Sequence, residues 1–184
     1  MVLAHRGAAR RHNDWLDESD QIRETSARYG RSMYFAQVLE HGLANTIVTA
    51  RLAARTRPVA WSRTEWEGII DGLFEVHFEK TMGQLLMTLR TLVNVSTKLE
   101  RLLYEALKTR NHLAHSFFRI RSNEGMSWNG RDAMIAELDA YTDLFIEADR
   151  LLEDALRPLR EPLGITDEAL AEAFREMYPD VDED

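Results

Sequence analysis

Cysteine is absent from this sequence of 184 residues, and proline and glycine are scarce, with four and nine residues. Without cysteine the chain can form no disulfide, bind no metal through thiolates and use no thiol as a nucleophile. The shortage of proline and glycine disfavours long irregular segments. No run of about 18 apolar residues occurs, and the first residues lack the apolar core of a signal peptide, so we expect a cytoplasmic protein without membrane segments.

The charge is acidic overall but uneven along the chain. The net charge of −8 argues against a protein that coats nucleic acid. Residues 98–121 nevertheless carry six basic side chains against two acidic ones, and the first twelve residues carry three arginines and no acid. A local basic surface on an acidic protein fits a confined site for an anion, although scattered solvated charges explain the pattern equally well.

Hydrophobic spacing predicts an all-α protein. Apolar residues recur at intervals of three and four over residues 19–57, over 62–74 with a continuation at 80–93 after a break near Gly83, and over 96–121, 131–157 and 167–177. Pro158 and Pro162 are predicted to end the helix over 131–157. No segment shows the alternation that is typical of a strand.

These helices predict an up-and-down bundle of four to five long helices. We expect one bundle domain over residues 18–178, a flexible basic arm at 1–17 and an acidic tail at 179–184. Apolar stripes that exceed about 25 residues are typical of helices with a coiled-coil-like partner, so a homodimer is also predicted.

Two charged residues interrupt the predicted apolar stripes. On a wheel of residues 99–118, Arg110 lies inside a continuous apolar arc made of Leu99, Leu102, Leu103, Ala106, Leu107, Leu113, Ala114, Phe117 and Phe118. Glu40 lies likewise in the stripe of the first helix, made of Ile22, Tyr29, Met33, Ala36, Leu43, Ile47 and Ala54. An unpaired buried arginine costs several kcal/mol, so Arg110 has a partner or faces a cleft. A Glu40–Arg110 ion pair is the predicted partner.

The neighbours of Arg110 suggest chemistry on phosphate. Asn111 and His115 are four residues apart and therefore adjacent on a helix. An arginine can grip a phosphate and stabilise added negative charge, and a histidine can exchange a proton near neutral pH. The residues alone leave open whether this group is a reaction site, a binding site or a structural feature.

The segment RNHLAH, residues 110–115, resembles the R-x(4–6)-H motif of the HEPN superfamily, in which a polar residue such as Asn often follows the Arg. That family is all-α, and its motif lies toward the end of a long helix in the second half of the domain. The resemblance in helical layout extends over about residues 19–160. Many members dimerise so that two motifs face one cleft, and many are metal-independent ribonucleases that act as toxins or in antiviral defence.

The resemblance implies roles for individual residues. Arg110, Asn111 and His115 would form the catalytic group, with Arg110 on the phosphate, Asn111 as a positioning residue and His115 as base or acid. Four further side chains would contact RNA, and they are Lys108, His112, Arg119 and Arg121. No cofactor or metal is implied. Some members have Tyr directly after the His, where this chain has Ser116, so control by a modifying antitoxin does not follow, and an antitoxin or defence partner is not identified.

Other interpretations of the same residues remain open. A catalytically silent helical module would use Arg110 and Glu40 only to hold the bundle or dimer together. A module that binds a nucleotide or an RNA end would use the same pocket without catalysis. His112 and His115 are three residues apart and could bind a metal, but no cysteine or placed carboxylate accompanies them, so no metal site is predicted.

Overall fold

The computed structural model describes residues 17–54 and 80–177, together with the single positions Gly68 and Gly72. Its α-helices are α1 (Glu18–Ala53), α2 (Met82–Leu92), α3 (Thr97–His115), α4 (Phe117–Ile120), α5 (Trp128–Arg160) and α6 (Asp167–Met177). No strand occurs in these ranges, so the all-α prediction is confirmed for them. Apart from Gly68 and Gly72, the predicted helix at 62–74 lies outside the described residues, as do residues 1–16 of the predicted arm and the acidic tail.

Two predicted helices differ from the observed ones at specific residues. The predicted helix 96–121 is interrupted at Ser116, where φ is −145° and ψ is −12°, so α3 ends and α4 begins there. Pro158 lies inside α5, so the prediction that it ends the helix is wrong. A proline in the last turn removes only one backbone hydrogen bond, and the chain turns instead at Gly164, whose φ of 77° is left-handed.

The start of α2 has a local cause in the sequence. The Thr81 hydroxyl accepts a hydrogen bond from the backbone N–H of Gln84, and the Gln84 side chain accepts one from the backbone N–H of Thr81. This reciprocal capping satisfies two amides that have no partner inside the helix. The predicted helix at 80–93 therefore begins at Met82, just before Gly83.

The chain divides into two compact units, which are described in turn. The first contains residues 1–39 and 101–148, and the second contains residues 40–100 and 149–184. Helices α1, α3 and α5 contribute residues to both. The apolar core of the first unit includes Ala36, Leu39, Leu103, Ala106, Leu113, Phe117, Met134, Ile135, Leu138, Phe145 and Ala148.

The buried face of α1 in the first unit is more polar than predicted. Ile22 is 49% exposed, so its place in the core stripe is wrong, while Gln21, Thr25 and Ser32 are buried. The Ser32 hydroxyl lies 2.8 Å from the carbonyl oxygen of Leu138 and hydrogen bonds to a threonine hydroxyl of α5 at 2.9 Å. Buried polar groups are tolerated when hydrogen-bonded, so partners on α5 decide which face of α1 is buried.

Arg131 joins three segments at one end of the first unit, and its guanidinium is almost completely buried. Its Nε donates to the Gln21 side chain at 2.7 Å, and its Nη1 donates to the carbonyl oxygen of Gly125 at 2.8 Å. Nη1 also lies 3.0 Å from a carboxylate oxygen of Glu18, and the guanidinium carbon lies 5.3 Å from the centre of the Trp128 ring. We call this set of contacts the Arg131 anchor.

The second unit has its own apolar core and its own buried arginine. The core includes Leu43, Ala44, Ile47, Val48, Met82, Leu85, Leu89, Leu99, Leu152 and Leu156. Arg160 is buried and pairs with Glu153 and Asp167, so it links the end of α5 to the start of α6. None of the described helices is long and apolar enough to cross a membrane.

Candidate functional site

Helix α3 carries a line of exposed polar and aromatic side chains. The line consists of Arg101, Tyr104, Lys108, Asn111 and His115, which follow one another at intervals of three and four residues and are all exposed. At 1.5 Å per residue it is about 21 Å long. We call these five residues the α3 stripe. It brings together two of the predicted catalytic residues, Asn111 and His115, and one of the predicted RNA contacts, Lys108.

Arg110 leaves the apolar side of α3 and reaches toward this stripe. Its neighbours in the apolar arc, Ala106 and Leu113, are buried, whereas Arg110 itself is half-buried. Its Nη1 lies 3.5 Å from the side-chain oxygen of Asn111, which is a long hydrogen bond. The positions of Arg110 and His115 are about 140° apart around an ideal helix. Because the long arginine side chain extends toward Asn111, its guanidinium lies at a smaller angle from His115 than that.

Glu40 is the predicted ion-pair partner of Arg110. Glu40 is half-buried on α1, as expected for a charged residue within an apolar stripe. The ion pair between Glu40 and Arg110 stays a prediction.

His115 is the last residue of α3 and is exposed. Within the described part of the chain, no hydrogen bond or ion pair orients its ring. The next two aromatic side chains differ, because Phe117 is buried while Phe118 is 50% exposed. Phe118 lies in the predicted apolar arc but is not part of the buried core, and its ring centre lies 4.8 Å from that of Tyr29.

His112 lies about 60° from His115 around α3 and is half-buried. Its ring packs edge-on against Phe117 and Tyr141, with ring centres 5.8 and 6.1 Å apart. Its Nδ1 lies 3.0 Å from the hydroxyl of Ser116, and that hydroxyl donates to the His112 carbonyl oxygen at 3.1 Å. The Ser116 hydroxyl therefore links the His112 ring to the backbone of α3.

Arg121, a predicted RNA contact, is held by a carboxylate of α5. Its Nε and Nη2 donate to the two carboxylate oxygens of Glu137 at 2.8 and 2.7 Å, and Glu137 also accepts a 2.5 Å hydrogen bond from the Tyr141 hydroxyl. Nη1 of Arg121 lies 3.3 Å from Glu124. A bidentate pair of this kind fixes the arginine, so its geometry ties the end of α4 to α5. We call the trio Arg121, Glu137 and Tyr141 the α5 clamp.

The clamp shifts the pKa values of both its acids. Burial alone would raise the pKa of Glu137, but hydrogen bonds from Arg121 and Tyr141, together with the charges of Arg121 and His112, outweigh it and lower the pKa. Burial and the hydrogen bond to Glu137 raise the pKa of Tyr141 to about 12. Glu137 is therefore a charged acceptor and Tyr141 a neutral donor at neutral pH.

Replacement of Glu137 by glutamine tests the clamp through its pH dependence. The folded-state pKa of Glu137 is lowered, so its contribution to stability is present above the unfolded pKa and is lost as the pH falls through the folded pKa. We expect Glu137→Gln to lower the free energy of unfolding by about 1 to 2 kcal/mol at neutral pH. The difference between parent and variant should shrink as the pH falls below the unfolded pKa and vanish once the pH lies below the lowered folded pKa of Glu137.

Urea unfolding of both proteins at neutral pH and near pH 3 measures this difference. Asp143→Asn is the matched control, because Asp143 is an exposed acid on the same helix. A Glu137→Gln deficit that stays constant between neutral pH and pH 3 would contradict the charged role of Glu137.

Of the remaining residues around the site, Arg119 was predicted from the sequence, whereas Tyr104 and Glu137 were not. Arg119 is exposed on α4, as a predicted RNA contact should be. Tyr104 was missed, although it lies four residues before Lys108, whose Nζ sits 4.4 Å from the centre of the tyrosine ring. Glu137 was missed as well, because its spacing of four residues from Tyr141 also fits an ordinary surface pair.

Possible metal ligands do not gather anywhere in the described residues. Within that part of the chain, no group of three or more histidine, aspartate and glutamate side chains could hold a metal ion.

A cavity of about 220 Å³ opens beside the α5 clamp, lined by Arg121, Glu124, Ala133, Met134 and Glu137.

Comparison with known proteins finds none that is similar to this chain. No protein-family model, no curated protein and no solved structure matches the chain.

Proposed function

We propose that this chain is a HEPN-like endoribonuclease that forms a homodimer and cleaves RNA without a metal ion. The proposed fold is the up-and-down bundle of that family, with the motif RNHLAH, residues 110–115, at the reaction site. A role as a toxin or in antiviral defence is part of the proposal through the same resemblance.

One observation carries the proposal, and it concerns Arg110. Its guanidinium extends from the apolar side of α3 to within 3.5 Å of Asn111, beside the exposed stripe that ends at His115. A cation, an amide and an imidazole are therefore accessible at one end of α3. That set of groups can bind a phosphate, stabilise added charge and transfer a proton.

The proposed reaction follows from these three groups. The ribose 2′-oxygen attacks the adjacent phosphorus, and the bond from phosphorus to the 5′-oxygen breaks. His115 accepts the proton of the 2′-hydroxyl, Arg110 stabilises the extra negative charge on the phosphate oxygens, and Asn111 positions the phosphate. The products are a 2′,3′-cyclic phosphate and a 5′-hydroxyl.

A second copy of the chain completes the proposed site. The leaving 5′-oxygen needs a proton, and a two-fold dimer would supply a second His115 as the acid. Lys108 and Arg119 are exposed and would contact neighbouring phosphates. His112 and Arg121 are left out of this role, because Ser116 and Glu137 already engage their side chains.

A catalytically silent helical module is the second candidate. The observation that favours it is the state of His115, which has no hydrogen bond or ion pair to orient its ring among the described residues. Catalytic histidines are usually held by a second group, so an unheld histidine also fits a protein that only binds or assembles.

RNA cleavage in the presence of EDTA tests the proposal. A mixed-sequence RNA is incubated with the parent protein, Arg110→Ala and His115→Ala at matched fold and oligomeric state. We expect cleavage by the parent with 2′,3′-cyclic phosphate ends, a loss of about 10²- to 10⁴-fold in His115→Ala and about 10²- to 10³-fold in Arg110→Ala.

The matched control is His41→Ala, which removes an exposed histidine of the second unit and should cleave like the parent. Equal cleavage by parent and His115→Ala would remove the proposed catalytic role. No cleavage by the parent on several RNAs would favour the silent module.

A further inference from the structure

We propose that Tyr104 and Lys108 form a base-stacking subsite, at which an unpaired base of an RNA strand stacks on the tyrosine ring. The inference rests on the proposed function, because it assumes that the α3 stripe binds RNA. This subsite would make the protein prefer RNA strands whose bases are unpaired. Tyr104 is the residue that would distinguish them from paired strands.

The position of Tyr104 on α3 supports a role beside the reaction site. Tyr104, Asn111 and His115 lie within about 40° of one another around the helix axis. Tyr104 precedes Asn111 by seven residues, which is about 10 Å along the helix. A strand whose phosphate sits at Asn111 would therefore bring a nearby base over the ring.

One face of the Tyr104 ring is available for stacking, since the Lys108 ammonium lies over the other face. Tyr104 is 51% exposed, and among the described residues no second aromatic ring packs against it. Tyr34 is an exposed tyrosine of another kind, because its ring packs edge-on against Phe35 at 5.3 Å. An exposed ring that does not stabilise an aromatic cluster can stack on any base, since every base offers a π face.

The charges around the ring favour a polyanion. The Lys108 ammonium lies 4.4 Å from the ring centre, and Arg101 is exposed on the preceding turn. Two acids lie near Tyr104 on α3: Glu100 is paired with Arg90 at 2.9 Å, and Glu105 lies about 100° from Tyr104 around the helix. Lys108 can thus neutralise a phosphate while the ring holds the adjoining base, as aromatic and basic residues do in other single-strand sites.

Binding of a strand that cannot be cleaved measures the subsite separately from catalysis. The probe is a short fluorescent 2′-O-methyl oligoribonucleotide, which lacks the attacking 2′-hydroxyl, used as a single strand and annealed to its complement. Fluorescence anisotropy gives its Kd for the parent, Tyr104→Leu, Tyr104→Trp and the control Tyr34→Leu.

We expect Tyr104→Leu to weaken binding of the single strand by about 5- to 100-fold, which is the effect of losing one stacked base. Tyr104→Trp should bind like the parent, because it keeps an aromatic face, and so should Tyr34→Leu. Binding of the duplex should not change in Tyr104→Leu, because paired bases are already stacked on one another.

Three results would overturn the subsite: unchanged single-strand binding by Tyr104→Leu, an equal loss in Tyr34→Leu, or no binding of the single strand by the parent. The outcome is distinguishable from that of the cleavage test. Loss of binding in Tyr104→Leu without cleavage by the parent supports the subsite and rejects the nuclease. Cleavage by the parent with unchanged binding in Tyr104→Leu does the reverse.

Discussion

Replacement of Arg131 by alanine is expected to lower the free energy of unfolding by about 3 to 5 kcal/mol. The Arg131 side chain is 3% exposed, and its removal leaves the Gln21 side-chain oxygen and the Gly125 carbonyl oxygen without their donor. The change also leaves a cavity beside Trp128. Both effects act at the place where the starts of α1 and α5 meet.

Thermal and urea unfolding of Arg131→Ala measure this loss, and the melting temperature should fall by about 6 to 20 °C for a chain of this length. Arg131→Lys should recover only part of the stability, because an ammonium cannot reproduce the two directions of the guanidinium. The control is Arg23→Ala, whose side chain is 71% exposed in its pair with Asp20 and should change stability by less than about 1 kcal/mol. Equal effects at both positions would contradict the Arg131 anchor.

Replacement of Gly130 by alanine is expected to cost about 3 kcal/mol or more, because the obstacle is backbone. A Cβ atom at Gly130 would lie 2.1 Å from the carbonyl oxygen of Glu124 and 2.6 Å from its Cα. The turn at Glu124–Met126 would have to move away from α5. That movement would also pull the Gly125 carbonyl away from Arg131.

Gly30→Ala is the matched control for this substitution. Gly30 also lies in a helix, but a Cβ there would meet nothing within 4 Å. Alanine is a better helix former than glycine, so Gly30→Ala should stabilise the protein by about 0.5 to 1 kcal/mol. Unfolding by urea should therefore shift in opposite directions for the two variants, and a stable Gly130→Ala protein would show that the turn at residues 124–126 adapts at little cost.

The helices were predictable because their signals are local. Periodic apolar residues located α1, and the predicted helix 167–177 coincides with α6. The buried face of α1 was less predictable, because Gln21 and Ser32 look like surface residues in sequence. Their partners, Asp132 and Thr142, are about 110 residues away, so no local pattern reveals that the polar groups are hydrogen-bonded.

The candidate site was likewise predictable only where its residues are close together in the sequence. The spacing of Asn111 and His115 correctly indicated two side chains on one side of a helix, because a helix fixes that relation. The engagement of Arg121 by Glu137 could not be read from the sequence, since it depends on how α4 meets α5. The break at Ser116 was also hidden, because serine is compatible with a helix and the hydroxyl's contact with His112 forms only in the fold.

The division of the first unit into two stretches of sequence has a consequence for how the chain folds during synthesis. Residues 1–39 and 101–148 belong to this unit, and the Arg131 anchor joins residues 110 positions apart. At ribosomal rates, roughly 5 to 20 s pass between the emergence of the first stretch and the completion of the second. The beginning of α1 has to wait through that interval without its partners on α5. The face of α1 that is buried in the folded protein includes the polar residues Gln21, Thr25 and Ser32. Before α5 is made, this segment therefore exposes no continuous apolar surface to other nascent chains.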